Sequence, residues 1–97
     1  MNKRYEKGRA AEYHIRRKLK GEGYLVIRSA GSHTPIDLIA AKNGEILAIQ
    51  VKTKYPSKKE VEKLETWANQ FGAKPMTATK RKNRWVLEPQ IWELRHL

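Results

Sequence analysis

An Asn-Gly dipeptide between two apolar segments constrains the fold of this chain more than any other feature. Asn43-Gly44 is the strongest short signal for a two-residue β-hairpin. Side chains alternate along a strand, so Gln50 and Lys52 share one face of the returning strand. The turn also places Asp37 roughly opposite Gln50. The sequence therefore predicts an antiparallel hairpin with Asp37, Gln50 and Lys52 converging at its open end.

The remaining elements follow from hydrophobic spacing and from turn residues. The spacing of Ser57 and Glu60 is that of a capping box, which marks the start of a helix. The predicted elements are a helix over 3–20, strands over 24–28, 36–41 and 46–52, a helix from 57 to about 71, strands over 75–79 and 85–87, and a helical turn or two after Pro89. This α-β-β-β-α-β-β order predicts a single α/β domain, residues 1–97, with a mixed sheet of about five strands flanked by helices.

The charge of the chain indicates its partner. Twenty-one Lys and Arg face ten Asp and Glu, which gives a formal charge of +11 and a pI near 10.1. Nucleic acid is the polyanion that such a protein meets most often. The chain has no cysteine, so it offers neither a disulfide nor a thiolate metal site. The sequence shows no membrane span or signal peptide, so we expect a cytoplasmic protein with no membrane partner.

Two carboxylates occupy predicted apolar positions. Asp37 interrupts an apolar strand, and Glu12 falls on the apolar face of the first helix. A buried carboxylate is costly unless it is paired, and Lys52 or a metal ion would be a natural partner for Glu12. Simpler interpretations remain open: Glu12 pairs with Arg9 or Arg16 at helical spacing, Asp37 is a turn acid, or Lys52 belongs to a solvated basic edge.

These residues resemble the motif of the PD-(D/E)xK nuclease superfamily, which has an acid in the first helix, Pro-Asp on one strand and acid-x-Lys on the next. In this chain the parts are Glu12, Pro35-Ile36-Asp37 and Gln50-Val51-Lys52. Two departures stand out. One residue separates Pro35 from Asp37, and Gln50 replaces the second acid.

Longer segments resemble the archaeal-type, Hjc-like Holliday junction resolvases. They are residues 7–12, 23–32, 36–40 and 46–52, then Leu64, Trp67, residues 71–75 and Arg84-Trp85. The run Arg28-Ser29-Ala30-Gly31-Ser32 is the most family-specific. The resemblance implies symmetric, metal-dependent cleavage of four-way DNA junctions by a homodimer. The tail is shorter than is usual in that family, as a virus-encoded member could be.

The resemblance also implies roles for individual residues. Mg²⁺ prefers oxygen ligands, which Asp37, Gln50, the Val51 carbonyl and Glu12 can supply, and Mn²⁺ is expected to substitute. A divalent cation neutralises the phosphodiester charge and lowers the pKa of bound water. Lys52 would orient or deprotonate the attacking water. No organic cofactor is expected. The predicted catalytic set is Glu12, Asp37, Gln50, Lys52 and Ser32, and the predicted DNA contacts are Arg4, Lys7, Arg9, Arg28, Ser29 and Lys54.

Several alternatives stay open at this point. Gln50 carries one negative charge less than the usual acid, which should weaken metal binding. The protein could therefore bind junctions without cutting them. It could also be another nuclease of the superfamily, acting on flaps, single strands or, like Mrr-type enzymes, on duplex DNA. The serines of the 29–32 loop could hold a phosphate or simply form the turn. For the dimer, the expected exposed apolar residues are Trp67, Phe71, Met76 and Trp92.

Overall fold

The computed structural model describes the backbone of residues 3–29 and 33–89 and the side chains of residues 10–29 and 33–89. Its elements are α1 (Lys3–Gly21), β1 (Leu25–Arg28), β2 (Leu38–Lys42), β3 (Glu45–Lys52), α2 (Lys58–Gln70), β4 (Lys74–Arg81) and β5 (Arg84–Pro89). This order confirms the predicted fold class.

The five strands lie in the sheet in the same order as in the chain, β1-β2-β3-β4-β5. Neighbouring strands are antiparallel except β3 and β4, which are parallel and are connected through α2. The predicted hairpin is present, with Lys42 paired to Glu45 around a turn in which Asn43 and Gly44 have φ of 51° and 82°. Positive φ at both turn residues is what a type I′ hairpin requires.

Local sequence determines where α2 begins and ends. Ser57 is its N-cap, and Ser57 and Glu60 form the predicted capping box. At the other end, the N–H of Ala73 donates to the carbonyl of Ala68, and Gly72 has φ of 64°. This is a Schellman motif, in which glycine tolerates the left-handed conformation.

The alternation along β3 divides the core between the two faces of the sheet. Leu47 and Ile49 pack with Ile15 and Leu19 of α1. Ala48 lies on the other face, in a cluster with residues of α2. Gln50 and Lys52 continue the Ala48 side of the strand by alternation. The two helices therefore cover opposite faces of the sheet.

Two observations differ from the sequence prediction. Strand β2 begins at Leu38 rather than at Ile36, because the carbonyl of Ile36 accepts hydrogen bonds from the hydroxyls of Ser29 and Thr34 instead of entering the ladder. Met76, expected to be exposed, is only 8% exposed because it points into the core beneath α1. The tail predicted to be helical, with Trp92, lies outside the described residues.

No helix formed by the described residues is long and apolar enough to cross a lipid bilayer.

Candidate active site

Asp37 is fixed by its backbone at the open end of the β2–β3 hairpin. Its N–H donates to the carbonyl of Ile49 at 2.8 Å, and its carbonyl accepts the N–H of Ser29 at 2.9 Å. Its side chain then closes the ladder, because Oδ2 accepts the N–H of Val51 at 2.7 Å. Leu38 pairs with Ile49, so Asp37 lies next to Gln50, as predicted.

Burial makes the Asp37 carboxylate unusually reluctant to ionise. Desolvation raises its pKa, and the hydrogen bond from Val51 partly offsets that rise. The charge of Glu12 raises the pKa further, whereas Lys52 and Arg28 lower it. The predicted acid, the predicted lysine and one predicted DNA-binding arginine therefore all lie near enough to act on Asp37.

The partner of Glu12 is Arg28, not Lys52. Arg28 Nε donates to Glu12 Oε1 at 2.8 Å. The expectation that Lys52 would partner Glu12 is therefore wrong. The Glu12–Arg28 pair lines a cleft of about 280 Å³, together with Ala10, Tyr13, Arg16 and Leu38. Sequence reasoning could not anticipate the pair because it depends on how α1 packs against β1.

Lys52 forms its ion pair with Glu60 of α2. The same carboxylate accepts the N–H of Ser57 in the capping box at 3.0 Å. The hydrogen bond from Lys52 is the main cause of the lowered pKa of Glu60, and the hydrogen bond from the Ser57 N–H lowers it further. The sequence indicated Glu60 only as a capping residue. The missing acid at position 50 was the signal that a carboxylate could reach Lys52 from elsewhere.

Gln50 is buried, and among the described residues its Oε1 has no hydrogen-bond donor. The neighbouring strand places Thr77 beside Gln50 and Thr79 beside Lys52, and both hydroxyls are likewise buried and unpartnered within the described part. An amide oxygen held without a donor, close to the Asp37 carboxylate, suits a hard cation that takes oxygen ligands. The residues present therefore fit a divalent metal.

The described residues contain no group of three or more His, Cys, Asp or Glu side chains able to hold a metal ion. A metal at Asp37 would therefore be held by fewer than three such side chains of the described part, and the amide of Gln50 offers a further oxygen ligand. The carbonyl of Val51 is the predicted backbone ligand, and this role stays a prediction, as does ligation by Glu12.

The predicted DNA contacts divide into three groups. Arg28 and Lys54 are exposed near the site. The Ser29 hydroxyl instead donates to the Ile36 carbonyl at 2.6 Å, which favours the interpretation of Ser29 as a turn former. The side chains of Arg4, Lys7 and Arg9, and the whole of Ser32, lie outside the described residues, so their roles stay predictions.

A second depression, of about 730 Å³, lies between α1 and the turn that joins β4 to β5. Basic, polar and apolar side chains line it. Its lining includes His14, Ile15, Lys18, Lys80, Arg84 and Trp85. The basic turn between β4 and β5 is therefore on the same side of the sheet as α1.

Comparisons with known proteins point to one family. The model of the archaeal Holliday junction resolvase (hjc) family matches residues 3–96. The crossover junction endodeoxyribonuclease Hjc of Methanocaldococcus jannaschii is 42% identical over 85 residues, which are 82% of this chain and 63% of that protein. The chain thus spans less than two thirds of that relative's length.

The fold also matches a solved structure. The structure of Hjc from Archaeoglobus fulgidus, a Holliday junction resolvase from an archaeal hyperthermophile, superimposes with a TM-score of 0.72 at 34% identity. The match covers 87% of this chain and 73% of that one.

Proposed function

This chain belongs to the archaeal Holliday junction resolvase family, and from that premise we propose that it cleaves four-way DNA junctions by symmetric, metal-dependent phosphodiester hydrolysis. The observation that carries the proposal is the position of Asp37. Its half-buried carboxylate stands at the end of the hairpin, within electrostatic reach of Glu12, Arg28 and Lys52. A protein that only binds DNA has no need of a desolvated acid among cations.

Asp37 and Gln50 would hold Mg²⁺ or Mn²⁺, with Val51 and Glu12 as further ligands. When bound, the cation offsets the charge of the phosphodiester and acidifies water. The pKa of Asp37 is raised in this structure, and both a cation and the nearby Lys52 and Arg28 favour its ionised form.

Lys52 is the residue best placed to act on the reacting phosphate. Its ammonium can orient the attacking water by hydrogen bonding and can stabilise the negative charge that develops on the phosphoryl oxygens. The hairpin register fixes where the backbones of Asp37, Gln50 and Lys52 lie relative to one another before DNA binds, which favours a preorganised site.

Arg28 and Lys54 border the site, and the basic depression between α1 and the β4–β5 turn extends the positive surface. Contacts of this kind bind phosphates without reading bases, which suits a substrate recognised by its branched shape. The expected partner is therefore branched DNA, and the expected location is the cytoplasm, where chromosomal DNA lies in a prokaryote.

Symmetric cleavage of a junction needs two active sites, so we propose a two-fold homodimer. The side of the sheet that carries α2 exposes large apolar residues. Leu25 is 79%, Ile27 68% and Phe71 52% exposed, and Trp67 is partly buried. Light scattering should show a dimer, and Ile27→Glu should convert it to a monomer that no longer makes paired nicks. A monomeric wild-type protein at working concentration would contradict the dimer.

The decisive experiment incubates the protein and Asp37→Asn with a labelled four-way junction, a flap, a single strand and a plain duplex, in Mg²⁺ and in Mn²⁺. Paired symmetric nicks confined to the junction, and absent in the variant, are the expected result. Cleavage of the flap, single strand or duplex instead would indicate a different nuclease of the superfamily. Tight junction binding without cleavage in either metal would indicate a binding protein, the alternative favoured by the neutral amide of Gln50.

A further inference from the structure

The active site lacks one negative charge on β3 that the family motif would supply. In the motif that this chain resembles, an acid two residues before the lysine shares its face of the strand. Here that position holds Gln50, whose amide carries no charge. Lys52 therefore has no acid at the neighbouring position on its own face of β3 to hold its ammonium.

Glu60 of α2 occupies the place of that partner. One of its carboxylate oxygens pairs with Lys52, and the other accepts the N–H of Ser57 at 3.0 Å. The Ser57 hydroxyl in turn accepts the N–H of Glu60 at 3.2 Å. Both oxygens of Glu60 are therefore engaged, and its backbone is fixed by the first turn of a helix. A carboxylate held in this way holds its cation in one place.

A second ion pair on the same helix shows what an ordinary surface contact looks like. Lys58 and Glu62 are 4.0 Å apart, and their side chains are 65% and 59% exposed. Lys52 and Glu60 are 34% and 37% exposed, and they join a helix to the strand that ends beside Asp37. Exposed ion pairs contribute little to folding stability. The main effect of the Lys52–Glu60 pair is therefore to fix where the lysine ammonium lies.

We propose that Glu60 is a positioning residue of the active site, holding the ammonium of Lys52 and supplying the negative charge that Gln50 does not provide. This inference rests on the proposed nuclease function. Its chemistry is simple: Glu60 acts through Lys52 and need not touch DNA. The lowered pKa of Glu60 is consistent with it, since the carboxylate is ionised at neutral pH.

The test compares Glu60→Gln with Glu62→Gln, which removes the same charge from the same helix. Glutamine at position 60 can still accept the Ser57 N–H, so the cap persists. We expect Glu60→Gln to lower kcat on the junction by on the order of tenfold, with Kd changed less than about threefold. Glu62→Gln should leave both within about twofold.

Two further variants separate positioning from a general structural role. In a Lys52→Ala background, Glu60→Gln should cause no additional loss, because the two residues act as a unit. Adding Gln50→Glu to Glu60→Gln should restore most of the lost kcat, because it returns an acid to the strand face of Lys52. A further loss in the Lys52→Ala background, or no rescue by Gln50→Glu, would overturn the proposal.

One measurement needs neither DNA nor metal. In ¹H–¹⁵N spectra of the lysine ammonium groups, an ammonium held by Glu60 should give a Lys52 signal protected from exchange with water. The signal should disappear in Glu60→Gln and persist in Glu62→Gln, and an unchanged signal would overturn the inference. If the wild-type protein does not cut junctions, the proposed function fails while this measurement still decides the role of Glu60. If it cuts and Glu60→Gln cuts equally well, only the inference fails.

Discussion

Two ion pairs flank Asp37, and each joins a helix carboxylate to a strand cation. On the α1 side Glu12 holds Arg28 of β1, and on the α2 side Glu60 holds Lys52 of β3. The arrangement is similar on both sides, but the cations differ. An arginine keeps its proton and binds phosphate in a planar, forked geometry, whereas a lysine ammonium is a compact charge that can exchange a proton.

The surroundings of the two ion pairs also differ, and the difference matches that between the two cations. The Glu12–Arg28 pair opens onto a cleft that also contains Arg16, which favours contact with a DNA backbone. The Lys52–Glu60 pair stands beside the buried polar strip of Gln50 and Thr79 and is anchored by a helix cap. From this comparison we propose that substrate binding lies mainly on the α1 side and chemistry mainly on the α2 side.

The largest expected effect comes from removing one cation at a time. Lys52→Ala should lower kcat by about 10³-fold, because it removes a group that stabilises charge in the transition state, and should change Kd by less than about threefold. Arg28→Ala should chiefly weaken junction binding and reduce the slope of log K against log salt by about one. Single-turnover cleavage and binding titrations at several salt concentrations measure both quantities.

The proposed separation between binding by Arg28 and chemistry by Lys52 is contradicted if the two variants have the same effects. If Arg28→Ala lowers kcat as much as Lys52→Ala does and leaves junction binding unchanged, the arginine takes part in the cleavage step. Equal loss of binding in Lys52→Ala would make the lysine a phosphate contact only.

The difference between the two sides also shows how far sequence reasoning reaches. The hairpin, the capping box and the element order were predicted because each depends on residues close together in the chain. Asp37 beside Gln50 was predicted for the same reason, since the Asn43-Gly44 turn fixes the register.

The two ion pairs were not predicted because their partners are brought together by packing. Arg28 reaches Glu12 only because α1 packs against β1, and Glu60 reaches Lys52 only because the first turn of α2 lies over the end of β3. Burial of Met76 was missed for a related reason. Its exposure depends on which face of β4 lies under α1, and sequence alternation alone does not identify that face.

A substitution with an effect of intermediate size distinguishes the role of Ser57 in capping α2 from a role in the active site. Ser57→Ala removes the hydroxyl that accepts the Glu60 N–H but keeps the Ser57 N–H that binds the Glu60 side chain. The loss of a serine cap costs about 1 kcal/mol. For a domain of this size that lowers Tm by roughly 4–8 °C. We expect kcat at a permissive temperature to change by less than about twofold, the opposite of Glu60→Gln.

Thermal unfolding by calorimetry, with cleavage measured at 25 °C, checks this prediction. A tenfold fall in kcat without a fall in Tm would mean that the hydroxyl of Ser57 serves the site rather than the helix.

The smallest expected effect concerns the acids on which the comparison depends. Asp37 has a raised pKa, chiefly through desolvation, so the folded state holds its proton more tightly than the unfolded state. Its contribution to stability is therefore fully present below the ordinary pKa of an aspartate and falls as pH rises through the folded pKa. Glu60 has a lowered pKa, chiefly through Lys52, so its contribution is present above 4.5 and is lost as pH falls through the folded pKa.

Replacing these two acids by their amides should therefore shift stability in opposite directions at neutral pH. Without metal, Asp37→Asn should raise Tm by a few degrees at pH 7, and the gain should vanish as the solution is acidified below the unfolded pKa. Glu60→Gln should lower Tm slightly at pH 7, by less than Asp37→Asn raises it because Glu60 is partly exposed and solvent screens its pair with Lys52. That loss should also disappear at low pH. Calorimetry of the metal-free proteins between pH 3 and pH 8 measures both differences. A lower Tm of Asp37→Asn at neutral pH would mean that the hydrogen bond from Val51 outweighs the cost of desolvation. The carboxylate would then be a group that stabilises the hairpin rather than a destabilising acid required for catalysis.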